Sequence, residues 1–405
     1  MGSATLELLE DILVYGILLG LLVFLYFNYF TRETEEGFAV KLDVRTMQAR
    51  IDADLSSVRS KSPTFFTQKS SAPTLPPNQS FLVNICPLTA YLGGYLGPPE
   101  EMMDEVYYLQ NAFKAGIRSF VLPITTYINV SKVPDNGWPY SGEPVLLARD
   151  PSDVIISKNG ITIEAFLKAL LQFKSVSGYI DEPIFLFLED NVLDIDKKKI
   201  NYVTFMNKIA SSLNIIDPYR LTTVGSYGSV TGGKQQNKLL TEIPLSHMKG
   251  KIIIFTNFDT AQDDSKTLAS YANFIYPKGS KGPKDPTLSV QTLALENLPG
   301  STVDYVSATR INWHIAKSST PLTPPTLETV NVALAAGIQC IPIPFMSTPM
   351  ASVKEIWSLW NGASYILKPE DARYTQPDPV VPAQVSQRLN ASIQGQEPGQ
   401  VVVNN

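Results

Sequence analysis

The chain has 405 residues, of which 44% are hydrophobic and 18% charged, and its formal net charge is −5. This composition supports a sizeable core and excludes a chain that is disordered throughout. The acidic balance offers no basic footprint for phosphates, so we expect no nucleic-acid partner. Two cysteines, Cys86 and Cys340, exclude a disulfide framework, and two histidines, His247 and His314, are all that an imidazole mechanism could use.

Residues 12–30 form an uncharged apolar stretch and predict a transmembrane anchor after a short N-terminal segment, 1–11. At about 1.5 Å per residue a helix of this length nearly spans a hydrocarbon core of roughly 30 Å. A cleaved signal peptide fits less well, because no small-x-small cleavage site follows and the preceding flank is acidic (Glu7, Glu10 and Asp11). The basic residues follow the stretch (Arg32, Lys41, Arg45 and Arg50), which predicts a single-pass protein with its main body on the cytoplasmic side.

Residues 31–79 predict a juxtamembrane helix followed by a spacer rich in Pro and Ser. Apolar residues recur at helical spacing from Val40 to Val58. They indicate either a short coiled-coil stalk or a helix packed on the next domain or on lipid headgroups. At the other end, 374–405 is rich in Pro and Gln and predicts a disordered tail, or one ordered by a protein partner.

Between these segments, 80–373 alternates short apolar runs with amphipathic stretches. The predicted elements, in chain order, are a strand at 81–86, a helix at 99–115, a strand at 118–122, a helix at 161–174, a strand at 183–188, a helix at 199–213, a strand at 251–255, a helix at 327–336 and a strand at 338–341. The polar stretch 263–285 predicts a long surface loop. Strands alternating with helices at this length favour an α/β fold of the TIM-type barrel kind.

The second half of this region carries a signature. Residues 336–345 read AGIQCIPIPF, and 360–370 read WNGASYILKPE before Arg373. Both runs resemble the Y half of phosphoinositide-specific phospholipase C, which has approximately NAGCQMVALNF and YNGGCGYVLKP. Weaker matches follow the family's order upstream, at 143–147, 157–158, 164–169, 187–191 and 246–254. The resemblance implies the same barrel, made of X and Y halves.

The resemblance also implies chemistry that the residues here do not supply. The family uses two histidines as acid and base, with a calcium ion on the phosphoryl group. The first histidine falls on Leu88 with the calcium-binding asparagine on Thr89, and the second falls on Ala148. Two calcium carboxylates fall on Val121 and Pro123, and the inositol-phosphate lysines fall on Phe255 and Asn257.

Glu189 is the one carboxylate kept at a calcium-ligand position, and we expect one carboxylate not to hold calcium, so the sequence predicts no cofactor. Ser318, beside Ser319, and Arg373 also match family positions, and with Glu189 they form a candidate remnant of an anionic headgroup site.

Two hypotheses follow. The first is a catalytically inactive barrel tethered to a membrane, acting as a scaffold or interaction protein through its surface or its 374–405 tail; this layout suits a component of a membrane-containing virion. The second is a phosphodiesterase for phosphoinositide or related headgroups, with relocated groups drawn from Glu189, Asp190, Arg149, Ser318 and Arg373. Binding of an anionic lipid headgroup without hydrolysis lies between them.

Overall fold

The computed structural model describes residues 75–98, 101–126, 142–176, 181–222, 240–241, 243–259, 267–278, 290–300, 302–346, 350–361 and 363–377. Within this part of the chain, no helix has the length and apolar character needed to cross a bilayer. The predicted anchor at 12–30, the juxtamembrane helix and the tail beyond residue 377 lie outside it. The predictions made for those segments therefore stay predictions.

Strands and helices alternate along the described chain. The strands are β1 (Ile85–Pro87), β2 (Thr89–Tyr91), β3 (Ser119–Thr125), β4 (Val145–Leu146), β5 (Ile161–Thr162), β6 (Ile184–Asp190), β7 (Ile252–Thr256), β8 (Phe274–Ile275), β9 (Val290–Ala294), β10 (Trp313–Lys317), β11 (Pro342–Pro344) and β12 (Tyr365–Leu367). The helices are α1 (Glu105–Lys114), α2 (Ile163–Val176), α3 (Asp194–Lys197), α4 (Tyr202–Leu213), α5 (Thr267–Tyr271), α6 (Thr302–Thr309), α7 (Leu327–Ala335) and α8 (Met350–Ser358).

Parallel strands form the wall of a barrel. Strands β11, β2, β3, β6, β7 and β8 are hydrogen-bonded in that order, and β9 pairs with β10. A parallel bridge between Ile315 and Cys340 connects β10 to the segment that leads into β11. The Trp313 ring lies 5.5 Å from that of Phe255 and 6.4 Å from that of Phe187. Because these rings come from strands far apart in the sheet order, the sheet curls around its own core, as the TIM-type prediction requires.

The apolar residues sort into an inner and an outer core. Along β6, Phe185 and Phe187 face the barrel interior, and Leu186 and Leu188 face the helices. This is the period-two alternation of a strand buried on both faces. Side-chain caps start several helices: Asp104 accepts from the backbone N–H of Tyr107 at 2.8 Å, and Asn201 from that of Thr204 at 3.0 Å.

Several predicted boundaries are wrong. The strand predicted at 81–86 is a 3₁₀ turn at Leu82–Asn84 followed by β1, because the buried Asn84 side chain binds loop backbone. The strand predicted at 338–341 lies later, at Pro342–Pro344, and Cys340 makes only a bridge. The loop predicted at 263–285 contains α5 and β8.

The two ends of the described chain lie together at one end of the barrel. Gln376 donates its N–H to the Asn78 carbonyl at 2.7 Å, and the Tyr374 ring meets Phe81 edge-on at 5.7 Å. Residues 75–79 and 374–377, which the sequence placed in the spacer and the tail, thus belong to the folded unit.

Candidate functional site

The carboxyl ends of the parallel strands meet at one end of the barrel, here called the mouth, which is where barrel enzymes place their functional groups. Glu189 is the penultimate residue of β6, faces the interior and is 7% exposed. Lys317 is the last residue of β10, and its Nζ lies 2.6 Å from Glu189 Oε1. Since β6 and β10 are not neighbours in the sheet, this ion pair spans the mouth.

Tyr276, just after β8, completes what we call the mouth cluster (Glu189, Lys317 and Tyr276). Its hydroxyl donates to Glu189 Oε1 at 3.1 Å. Burial, together with the charge of Glu189, holds the pKa of Tyr276 well above its ordinary value and also raises the pKa of Tyr91. Both phenols therefore stay protonated and can donate hydrogen bonds to the carboxylate.

Asp190 points toward α4 and has its own set of partners. Its Oδ2 accepts from the Tyr202 hydroxyl at 2.8 Å, forms an ion pair with Lys197 and lies 3.5 Å from Lys278 Nζ. Its backbone N–H donates to Asn257 Oδ1 at 2.6 Å. Glu189 and Asp190 are therefore both paired with lysines.

The strand register places Leu88 below the level of Glu189 in the barrel. Tyr91 pairs with Val121, and Pro123 pairs with Glu189. Leu88 precedes β2 and donates its N–H to the Ser364 carbonyl at 2.9 Å, so it lies at the end of the barrel opposite the mouth. Thr89 pairs with Ser119, four residues before Pro123, so Leu88 and Thr89 lie below the level of Glu189.

The β2 ladder ends at Tyr91, two residues short of the level of Glu189, and Gly93 follows this end. A Cβ at Gly93 would lie 2.6 Å from a ring carbon of Phe166 and 2.9 Å from Leu122 Cδ2. Leu92 just before it has a left-handed φ of 52°. The end of β2 therefore turns outward at a residue that has no room for a side chain.

The positions of Val121, Pro123 and Ala148 add no polar side chain to the mouth. Val121 faces the inner core, one layer below Glu189, and Pro123 lies beside Glu189. Ala148 is fully buried in the outer core, and its N–H donates to Ser157 Oγ at 3.1 Å.

Ser318 and Ser319 follow Lys317 at the mouth, but both bind Glu296. Their hydroxyls donate to Glu296 Oε1 at 3.0 and 3.1 Å, and the Ser319 N–H donates at 2.7 Å. Burial acts to raise the pKa of Glu296, but these hydrogen bonds hold it below its ordinary value. The Ser318 hydroxyl, predicted to bind a headgroup, instead binds Glu296 in the neighbouring loop.

Arg373 lies away from the mouth, contrary to its expected place beside Glu189. Its Nε donates to the Lys368 carbonyl at 2.7 Å, and the next residue, Tyr374, donates its N–H to Asn84 Oδ1 at 2.7 Å. Asn84 precedes β1 and β2, which places Arg373 at the amino-terminal end of the strands. Arg149, at 2.8 Å, donates to the Asp153 carbonyl.

Neither histidine reaches the mouth. His247 is exposed in the 3₁₀ turn Leu245–Met248, which leads into β7. His314 is the second residue of β10 and faces outward to Tyr305 of α6, with ring centroids 6.3 Å apart. Burial lowers the pKa of His314 to about 4. Since the chain contains two histidines, the mouth has no imidazole.

The residues at the mouth do not fit the calcium ion that the resemblance implies. Calcium takes six to eight oxygen ligands, usually including several carboxylates. Glu189 and Asp190 each bind a lysine. Across the described parts of the chain, no three His, Cys, Asp or Glu side chains are arranged to hold a metal ion.

Sequence reasoning missed Lys317, Tyr276, Lys197 and Lys278. A signal for Lys317 was present: in WHIAK, residues 313–317, Trp313, Ile315 and Lys317 share one face of a strand. The strand went unpredicted because one polar and one charged residue interrupt its apolar run.

Comparisons with known proteins support the barrel. No protein-family model and no curated protein matches this chain. Among solved structures, PLC21 of L. pealei superposes with a TM-score of 0.51 at 13% identity, over 74% of this chain and 38% of that one. PLC21 of S. officinalis gives a TM-score of 0.50 with the same identity and coverage, 13%, 74% and 38%.

The fold is that of the phospholipase C barrel. At this identity the likeness concerns the fold alone, and the chain spans well under half the length of these two structures. A calcium-dependent phosphatidylinositol-specific phospholipase C from Streptomyces antibioticus also matches, with a TM-score of 0.42 and 16% identity, over 71% of this chain and 99% of that one.

Proposed function

We propose that this protein is a non-catalytic phospholipase-C-like barrel, tethered to a membrane and acting as a scaffold or interaction protein. One observation carries the proposal: both histidines lie away from the mouth, while Glu189 and Asp190 are paired with lysines. Fold and site are separable, so a stable barrel can persist without its chemistry.

The groups that remain are poor proton-transfer catalysts. General acid–base catalysis works best with a pKa near the operating pH and contributes about 10²- to 10⁴-fold per group. The pKa values of Tyr91 and Tyr276 are raised by burial and by Glu189, far from neutrality. Lys317 and Tyr276 both bind Oε1 of Glu189, and they neutralise and orient this carboxylate.

The remaining segments suit attachment. The predicted anchor at 12–30 would hold the barrel to a membrane, on its cytoplasmic side, and the spacer would set its distance. The tail at 378–405 and the barrel surface are the regions we propose for a protein partner. A structural role in a membrane-containing virion fits this layout.

The test is a turnover assay on the full chain in mixed micelles that contain phosphatidylinositol or its phosphates. Calcium is titrated from chelator to millimolar, with a calcium-dependent phospholipase C as the positive control. We expect no hydrolysis above the lipid blank at any calcium concentration. Calcium-dependent hydrolysis that is lost in Glu189→Gln would instead support the phosphodiesterase hypothesis. Headgroup binding without turnover would make the barrel a lipid-binding domain.

A further inference from the structure

We propose that the Lys317 ammonium is a built-in cation that takes the place of a metal ion beside Glu189. The mouth would then be held together without calcium. The inference deepens the proposed function and rests on its premise that the mouth carboxylates are not metal ligands. It identifies Lys317 as the cation that pairs with Glu189 in place of a metal ion.

Burial makes a cation necessary at this position. The Glu189 side chain is 9% exposed, and an unpaired carboxylate at that depth is strongly unfavourable. The Lys317 Nζ lies 2.6 Å from Oε1 of this carboxylate, close enough for a charge-assisted hydrogen bond. It reaches Glu189 from a distant strand, so the pair joins two sides of the barrel as a shared metal ion would.

Tyr276 adds an aromatic ring beside the Lys317 ammonium. The Lys317 Nζ lies 5.8 Å from the centroid of the Tyr276 ring, within the range of a cation–π contact. The hydroxyl of the same ring donates to Glu189. One carboxylate and one aromatic face suit a singly charged ammonium, whereas a divalent ion needs several oxygens.

Nearby oxygens are bound elsewhere and cannot form a metal cage. Asn257 Oδ1 accepts the N–H of Asp190 at 2.6 Å. Asp190 itself has Lys197, Lys278 and the Tyr202 hydroxyl as partners. With Lys317 in place, the charge of Glu189, which faces the interior, is neutralised.

The experiment removes the lysine and asks whether a metal replaces it. The full chain in detergent is compared with Lys317→Met, in chelator, in calcium and in terbium, by thermal unfolding and by tyrosine-sensitised terbium luminescence. We expect the wild type to show no luminescence and no metal-dependent shift. Lys317→Met should melt about 5 °C or more below the wild type in chelator, and neither calcium nor terbium should recover that shift, because one carboxylate does not hold a divalent ion.

Two further variants separate charge from packing. The double variant Lys317→Met with Glu189→Gln leaves no buried charge, so it should melt nearer the wild type and show no luminescence. Lys278→Met is the matched control, because Lys278 is 52% exposed and Asp190 keeps Lys197 and Tyr202 without it. It should behave as the wild type does.

Three results would overturn the inference. They are metal binding by the wild type, a Lys317→Met protein with unchanged stability, and a double variant destabilised as much as the single one. Failure of the proposed function looks different. Lipid turnover by a wild type that binds no metal would refute the non-catalytic role while leaving Lys317 as the internal cation.

Discussion

Lys368, the lysine of the YILKP run, has a structural role here. Its side chain is fully buried at the amino-terminal end of the barrel, where Nζ donates to the Thr309 carbonyl. Burial lowers the pKa of Lys368 to about 7. The most specific part of the resemblance thus reports on how β12 joins the barrel and not on the mouth.

This shift gives the stability of the protein a pH dependence. An unfolded lysine titrates near 10.4, so between about pH 7 and 10 the unfolded state binds more protons and stability rises with pH. Below about pH 7 both states are protonated, and the penalty for burying the charge is present in full. We expect Lys368→Met to gain stability relative to the wild type most at pH 6 to 7 and least near pH 9, measured by urea unfolding across this range. A difference independent of pH would contradict the assignment.

At the scale of single elements, the end of β2 shows how a strand can lose a functional position through packing. For β2 to add a functional side chain beside Glu189, the strand would have to continue beyond Tyr91 with a side chain directed inward. Here the chain turns at Leu92, and Gly93 packs under the Phe166 ring of α2. A side chain could return only if α2 moved.

Gly93→Ala should therefore destabilise the protein. Its Cβ would approach a rigid aromatic ring at 2.6 Å, and overpacking of this kind typically costs about 1 to 3 kcal/mol. Chemical denaturation would measure the loss. The double variant with Phe166→Leu is the control, because it removes the ring; if it recovers nothing, the clash is not the cause.

At the scale of the whole molecule, the chain ends are joined through Asn84. This side chain is fully buried, donates to the Gln79 and Tyr374 carbonyls at 2.8 and 2.7 Å, and accepts the Tyr374 N–H at 2.7 Å. The segments that lead toward the predicted anchor and tail therefore leave the same end of the barrel, opposite the mouth.

Asn84→Ala should cost about 2 to 4 kcal/mol, since it removes three partly buried hydrogen bonds, two of them to the backbone of Tyr374. The shift of the urea midpoint would measure it. Gln79→Ala is the matched control at this end, because its side-chain bond to Thr375 is exposed, and we expect a change of less than about 0.5 kcal/mol. Equal effects of the two changes would argue against Asn84 as the residue that joins the two chain ends.

Sequence patterns predicted the repeating elements better than their ends. Apolar runs such as IFLFLED of β6 identify buried strands by composition. Short strands such as β8 and β12 carry too few residues for any periodicity, and β10 hides one behind His314 and Lys317. A sequence match carries no strand register. Only the β2–β3 ladder shows that Leu88 lies below the level of Glu189.

The amino-acid sequence alone determined the barrel and one chemical limit: a chain with two histidines has no spare imidazole. It determined these because strand and helix periodicities are local and residue counts need no geometry. The tertiary structure decided that Lys317 meets Glu189, that β2 ends two residues below the level of Glu189, and that Arg373 lies at the far end. Those outcomes depend on strand register and on contacts across the closed sheet, which join residues that no local pattern connects.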